Sequence, residues 1–180
     1  MYIEDESQLI PIDISRYGCY SSIFIMVGSI FAAINEYYVI SLLAFVQSVV
    51  SYLNWSDVKR FSAIKAIDII IACLILLRIT WIDSRRFNKE DRRLWCITLV
   101  IILCVFVVNE ILLYYQVKRR VYDVVLKGVN VPQYFSLAYT KEGTSEREYA
   151  YYRSTITHIC FIHIVPTIVV IYCIYKSCRV

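Results

Sequence analysis

Much of what marks a soluble enzyme is missing from this sequence. It has no G-x-S-x-G elbow, no glycine-rich phosphate loop, no cysteine–histidine metal cluster and no potassium-filter sequence, which removes the chemistries those motifs carry. No basic run alternates with aromatic residues on a polar domain, so a nucleic-acid surface is excluded and nucleic acid is not an expected partner. Of the seven cysteines, Cys19, Cys73, Cys96, Cys104, Cys160 and Cys173 fall inside apolar blocks and only Cys178 does not. Loops without cysteine exclude a disulfide framework, and small reduced side chains are expected instead. The first 16 residues set Glu4, Asp5, Glu6 and Asp13 against Arg16 alone. A secretory leader starts basic and a mitochondrial presequence is poor in acid, so the first apolar segment is expected to serve as its own insertion signal. There are no internal repeats and no low-complexity tracts.

What is present in excess is apolar surface. Hydrophobic residues make up 59% of the 180, against about 45–50% in an ordinary soluble domain, and mean hydropathy is +0.57. The excess is gathered into long blocks separated by short charged stretches, as lipid requires of helices apolar all round. The predicted fold is an all-α integral membrane bundle of about five transmembrane helices in a single domain, residues 1–180, with the lipid bilayer as its first partner. The predicted spans are 17–34, 37–55, 61–82, 94–115 and 154–175. Asn35-Glu36 separates the first two, which are expected to form a tight hairpin, because one continuous helix would put Glu36 at mid-membrane at high cost. Four spans remain the competing count. Tyr17, Tyr37, Tyr38, Trp55, Trp81, Trp95, Tyr114, Tyr115, Tyr172 and Tyr175 crowd the segment ends and read as headgroup-level anchors. In the connection 116–153, valines 117, 121, 124 and 125 share a helical face up to Gly128, predicting a surface or extension helix. The rest of that connection, 130–148, reads as loop.

Five spans put the termini on opposite sides. The side of the N-terminus and of the loops after spans two and four holds ten basic residues, and the other holds seven, among them the five of the Asp83–Arg93 loop. These counts pull in opposite directions and leave orientation open.

Ionisable residues inside spans are where chemistry is expected, since their burial has to be offset. Lys65 and Asp68 lie one turn apart on span three, where they can pair with each other or with a polar group of another span, Asn54, Asn109 or a histidine. The same Asp68 is the candidate proton carrier or site carboxylate. Arg78 is close enough to its span end to reach the interface. Glu110, beside Asn109, lies about a turn and a half from the end of span four. His158 and His163 are the only histidines. Five residues apart, they diverge by about 140° on an ideal helix, whereas paired zinc ligands on a helix favour i,i+4. Sharing one metal therefore needs a local distortion. Pro166, which removes the bond to the Ile162 carbonyl, offers a cause for one. Asn54-Trp55-Ser56 fits a glycosylation sequon but abuts a membrane boundary.

The segment SVVSYLNWSDVKRFSAIKAIDIIIA, with THICFIHIV later in the chain, resembles a group of small multi-pass membrane proteins of large DNA viruses. That group is distantly similar to the membrane hydrolase superfamily of alkaline ceramidases and adiponectin-receptor-like proteins. The resemblance covers about a quarter of the chain. It implies zinc and lipid-amide hydrolysis, with Asp68 as the superfamily aspartate, Ser48 or Ser51 as its serine, and His158 and His163 in place of its closing His-x-x-x-His. The first superfamily histidine falls near Asn54, where this chain has none. Scarce glycine and proline, 4 and 3 residues, with abundant isoleucine and tyrosine fit an AT-rich genome.

The sequence therefore leads to a non-enzymatic membrane component, in a viral membrane or a larger membrane or capsid-linked assembly, with no cofactor. The alternatives are an intramembrane zinc hydrolase built on Asp68, Ser51, His158 and His163, and an ion or proton pathway through Asp68, Glu110 and His158.

Overall fold

The computed structural model describes residues 12–58, 63–113 and 145–178. Among them every regular element is helical: α1 (Ile12–Ile34), α2 (Tyr38–Ser56), α3 (Ala63–Trp81), a 3-10 turn (Asp83–Arg86), α4 (Lys89–Leu113), and then α5 (Ser145–His158), a π-helical segment (Ile159–Ile164) and α6 (Val165–Ser177) in one continuous rod. The predicted all-α bundle is what the chain forms. Four of its helices are long and apolar enough to cross a membrane: α1, α2, α4 and the rod from Tyr149 to Ser177. Helix α3 is as long as α2, 19 residues, but carries Lys65, Asp68 and Arg78. It nevertheless runs the length of the bundle. It starts where α2 ends, and its last turn packs at the opposite end, where Ile79 joins Tyr37 and Ile40 in one cluster.

The α1–α2 hairpin is closed by a Schellman turn. Tyr37 N–H reaches the Ala32 carbonyl (2.9 Å) and Glu36 N–H the Ala33 carbonyl (3.1 Å), while Glu36 takes the left-handed conformation, φ 64°, that this turn demands. Tyr37 and Ala32 then pack in the same core, the hydrophobic contact that accompanies the motif. The start of α4 has its own lock. Asn88 Oδ1 accepts from the Asp91 N–H (2.8 Å), and Asn88 Nδ2 donates to Asp91 Oδ2 (2.6 Å). That satisfies an orphan donor of the first turn and turns Asp91 inward.

Helix α1 is the centre of the arrangement. It packs along α2 and against the rod, which in turn packs on α4, while α3 lies on the far side of α2. Its inward residues are small: Gly18, Ser21, Ser22, Ser29 and Ala32 are buried. Small side chains let helix backbones approach where no water drives association. A Cβ on Gly18 would overlap the Trp55 indole, and one on Gly28 would lie 2.7 Å from Thr167 Cγ2. Two apolar clusters close the ends. Ile14, Trp55, Val58, Leu113, Ala150 and Tyr151 form one. The other, at the hairpin end, centres on Trp95, Tyr37, Ile79, Phe87 and Ile174. Between them the outer faces are apolar, with Ile70, Leu77, Val100, Val107 and Ile168 all exposed.

Several expectations need correction. Helix α1 begins at Ile12 and α4 at Lys89, five residues before the predicted spans, because helices extend into the headgroup region beyond their apolar stretch. The stretch 145–148, expected as loop, is helical, and the rod starts nine residues before the predicted span; Ala150 and Tyr151 hold this extension by packing into the end cluster. The remainder of that connection, with the helix expected over 117–128, lies outside the described residues. Trp95, Tyr37 and Trp55 are not interfacial anchors but core: their exposures are 0%, 2% and 8%. Trp95 Nε1 donates to Thr80 Oγ1 at 3.1 Å, and the Tyr37 hydroxyl meets Ser177 Oγ at 2.8 Å. Partners for the polar tips favour burial of these two, whereas Trp55 Nε1 is buried with no partner among the described residues. Trp81 and Tyr38, by contrast, stay exposed as expected. Arg78 does not simply reach for the interface: its Nε sits 3.1 Å from Asp83 Oδ2.

Candidate functional site

A polar centre lies between the two apolar clusters, built by α1, α2, α3 and the rod. Its carboxyl is Asp68 on α3. Gln47 Nε2 donates to Asp68 Oδ1 at 2.6 Å and Asn54 Nδ2 to Oδ2 at 3.0 Å. Ser51, fully buried, borders the same carboxyl. Residues 47, 51 and 54 are spaced i, i+4, i+7, so α2 turns one polar stripe towards α3. The need of Asp68 for a partner, with Asn54 among those expected, is met across the helix interface. Helix α2 supplies these two bonds, and the Lys65 ammonium lies within electrostatic reach of His158. Asn54 is buried by this role, which hides the sequon.

The two histidines come together. Their ring centroids are 5.2 Å apart at an interplanar angle of 73°. The reason is the π segment that begins directly after His158 and contains His163. A π turn closes i→i+5 bonds, so a five-residue spacing returns to the same side, which an α-helix does not allow. Pro166, at the start of α6, ends the segment as its missing N–H requires. Trp55 covers both imidazoles, at 5.6 Å from His158 and 6.4 Å from His163. Ser21 Oγ shares a 2.7 Å hydrogen bond with His163 Nδ1 and also lies 2.7 Å from the Gly18 carbonyl.

The described residues do not fit the three-ligand set of a catalytic zinc. Among the described residues no three His, Cys, Asp or Glu side chains converge as ligands for one ion. Asn54, near which the resemblance expected a histidine, directs its amide at Asp68. Catalytic zinc takes three protein ligands, and two imidazoles beside a lysine ammonium do not supply them. Ser48, the other serine candidate, donates to its own helix at the Phe45 carbonyl, 2.9 Å away. Glu110 is half-buried on α4. Its neighbour Asn109 is the one that turns inward, donating to the Ser154 hydroxyl (3.1 Å) and carbonyl (3.3 Å) and so tying α4 to the rod.

Family models, curated proteins and solved structures yield no match to this chain. The site therefore stands on its geometry. Sequence reasoning brought Asp68, Ser51, Asn54, His158 and His163 forward and missed Ser21, Gln47 and Trp55. The stripe at 47, 51 and 54 was available as a signal for Gln47. Nothing in the chain marks Ser21, which is one of several serines on α1.

Proposed function

We propose that this chain is a non-enzymatic multi-pass membrane protein, a packed subunit of a larger membrane assembly or a structural component of a viral membrane. The supporting observation is how the polar centre is used: its side chains are spent on contacts between helices. Asp68 joins α3 to α2, Ser21 joins α1 to the rod, and Asn109 joins α4 to it. In hydrocarbon such bonds act as glue where the hydrophobic effect does not. The apolar outer faces, with no large polar body, suit a protein surrounded by lipid and neighbouring subunits. The viral setting draws only on the resemblance in the second, third and fifth predicted spans. Mild-detergent extraction from the native membrane followed by cross-linking tests this reading. A stoichiometric set of membrane neighbours is expected, and an isolated monomer that turns over a lipid amide would overturn it.

One observation favours a second reading, intramembrane hydrolysis of a lipid amide: the π segment pairs His158 with His163 near the helix pair that carries Asp68 and Ser51. What counts against it is the donor set. Elemental analysis of purified protein separates the two readings. Stoichiometric zinc that disappears in a His158→Ala, His163→Ala double variant would replace the first reading with the second.

A further inference from the structure

Charge at the hairpin end of the bundle is sorted by the fold in a way that composition hides. This end carries the α1–α2 turn, the 82–88 connection with the first turn of α4, and the end of α6. Its acidic residues are Glu36, Asp83, Glu90 and Asp91, set among a larger number of basic ones. Two of the four are withdrawn. Asp83 is 6% exposed and held by Arg78, and Asp91 is 5% exposed and held by Asn88. The basic residues stay outside: Arg85, Arg86, Lys89, Arg92, Arg93 and Lys176 are all exposed. Arg86 is laid over the Tyr37 ring at 3.8 Å. The side chains of Arg85, Lys89, Arg92 and Arg93 make no hydrogen bond or ion pair with other described residues and keep their full donor capacity.

We infer that the hairpin end binds anionic phospholipid headgroups. The patch lies where headgroups are. Trp81 and Ile82, exposed at the end of α3, sit beside the arginines, and a Trp ring prefers the boundary between acyl chains and headgroups. Arginine forks match phosphate oxygens two at a time. Basic residues held at a membrane surface attract anionic lipid over a Debye length. Burial of Asp83 and Asp91 removes the two carboxylates that would otherwise compete for these guanidinium groups. The inference goes beyond the proposed role, since it holds for an assembly subunit and for an isolated protein alike.

Trp81 supplies the reporter, because the other two tryptophans, Trp55 and Trp95, are buried. The full chain is reconstituted in phosphatidylcholine bilayers in which a fixed minor fraction is chain-brominated phosphatidylglycerol or, in parallel, chain-brominated phosphatidylcholine. Bromine quenches only adjacent indoles. At low salt the brominated anionic lipid should quench as if enriched at least about twofold over the neutral one. The excess should vanish in molar salt, where the Debye length falls to about 3 Å, in an Arg85→Gln, Arg92→Gln, Arg93→Gln variant, and in Trp81→Phe. Equal quenching by the two lipids in the unmodified protein, or an excess indifferent to salt, overturns the inference without recourse to any variant. An excess that survives the triple substitution in folded protein also overturns it.

Discussion

Replacing Asp68 with alanine should ease insertion of α3 and weaken the finished bundle at the same time. A carboxylate near the middle of a span costs about 2.5–3.5 kcal/mol to insert, and alanine removes that cost. In the folded bundle the same change leaves Gln47 Nε2 and Asn54 Nδ2 without their acceptor. A stranded buried donor costs about 1–3 kcal/mol in soluble proteins, but hydrogen bonds within membrane bundles average about 0.6 kcal/mol, with a maximum near 1.7. Two such bonds put the loss at roughly 1–3 kcal/mol. Because insertion and packing are separate steps, two assays are needed. Glycosylation mapping of α3 in microsomes should show more complete insertion, and denaturation of the full chain by SDS titration should show the lower midpoint. Asp68→Asn should lose less than about 1 kcal/mol. Its carbonyl serves one amide, and the other can rotate, since Gln47 Oε1 and Asn54 Oδ1 are both buried without a partner. A double-mutant cycle of Asp68→Ala with Asn54→Ala should return a coupling of about 0.6–1.7 kcal/mol. Native-like SDS stability of Asp68→Ala with no coupling would refute the assignment of Asp68 as a tie between α2 and α3.

Three further substitutions probe the frame around the centre. Glu36→Gly should raise stability by about 1 kcal/mol, because glycine meets the left-handed conformation without the penalty on a Cβ; thermal denaturation in detergent reads it, and a loss would contradict the Schellman turn. Gly18→Ala drives a methyl group into the Trp55 ring and should cost about 1–3 kcal/mol by overpacking, whereas Gly18→Ala combined with Trp55→Leu should recover part of the loss. Trp95→Phe keeps most of the apolar contact but removes the indole N–H that Thr80 Oγ1 accepts, while the hydroxyl goes on donating to the Leu76 carbonyl, so a fall of about 0.5–1.5 kcal/mol is expected; Thr80→Val in the same background should then cost about one further hydrogen bond.

How much of this could be read from the chain depends on whether the cause was local. The break at Asn35-Glu36 was legible, because two polar residues between apolar runs leave a helix little choice. The partnership of Asp68 was legible through the cost of leaving it alone, and its helix-two partner was visible as a polar residue at the right depth. Trp95 was not: its burial depends on a hydroxyl that accepts its N–H, and Thr80 is brought there by a different helix. The early start of the rod was hidden too, since Ala150 and Tyr151 earn their helical state only by packing against Trp55 and Leu113. The histidines were misjudged for a geometric reason. Their divergence was computed for a helix of constant winding, which this one is not.

That uneven winding has a consequence for how the rod tolerates change. A π segment is an α-helix that has taken in one residue more than its turns can hold. Between His158 and Pro166 the rod therefore stores a spare residue, and its two flanks keep their faces because the surplus is absorbed there. Removing one residue from 159–162 should let the segment relax to ordinary winding, with the histidines still neighbours and α6 still facing α4. A deletion of the same size in α2 or α4 would rotate everything beyond it by about 100° and turn lipid-facing residues inward. Among the described helices, the stretch most tolerant of a lost residue is thus in the middle of the longest, where length is ordinarily most constrained.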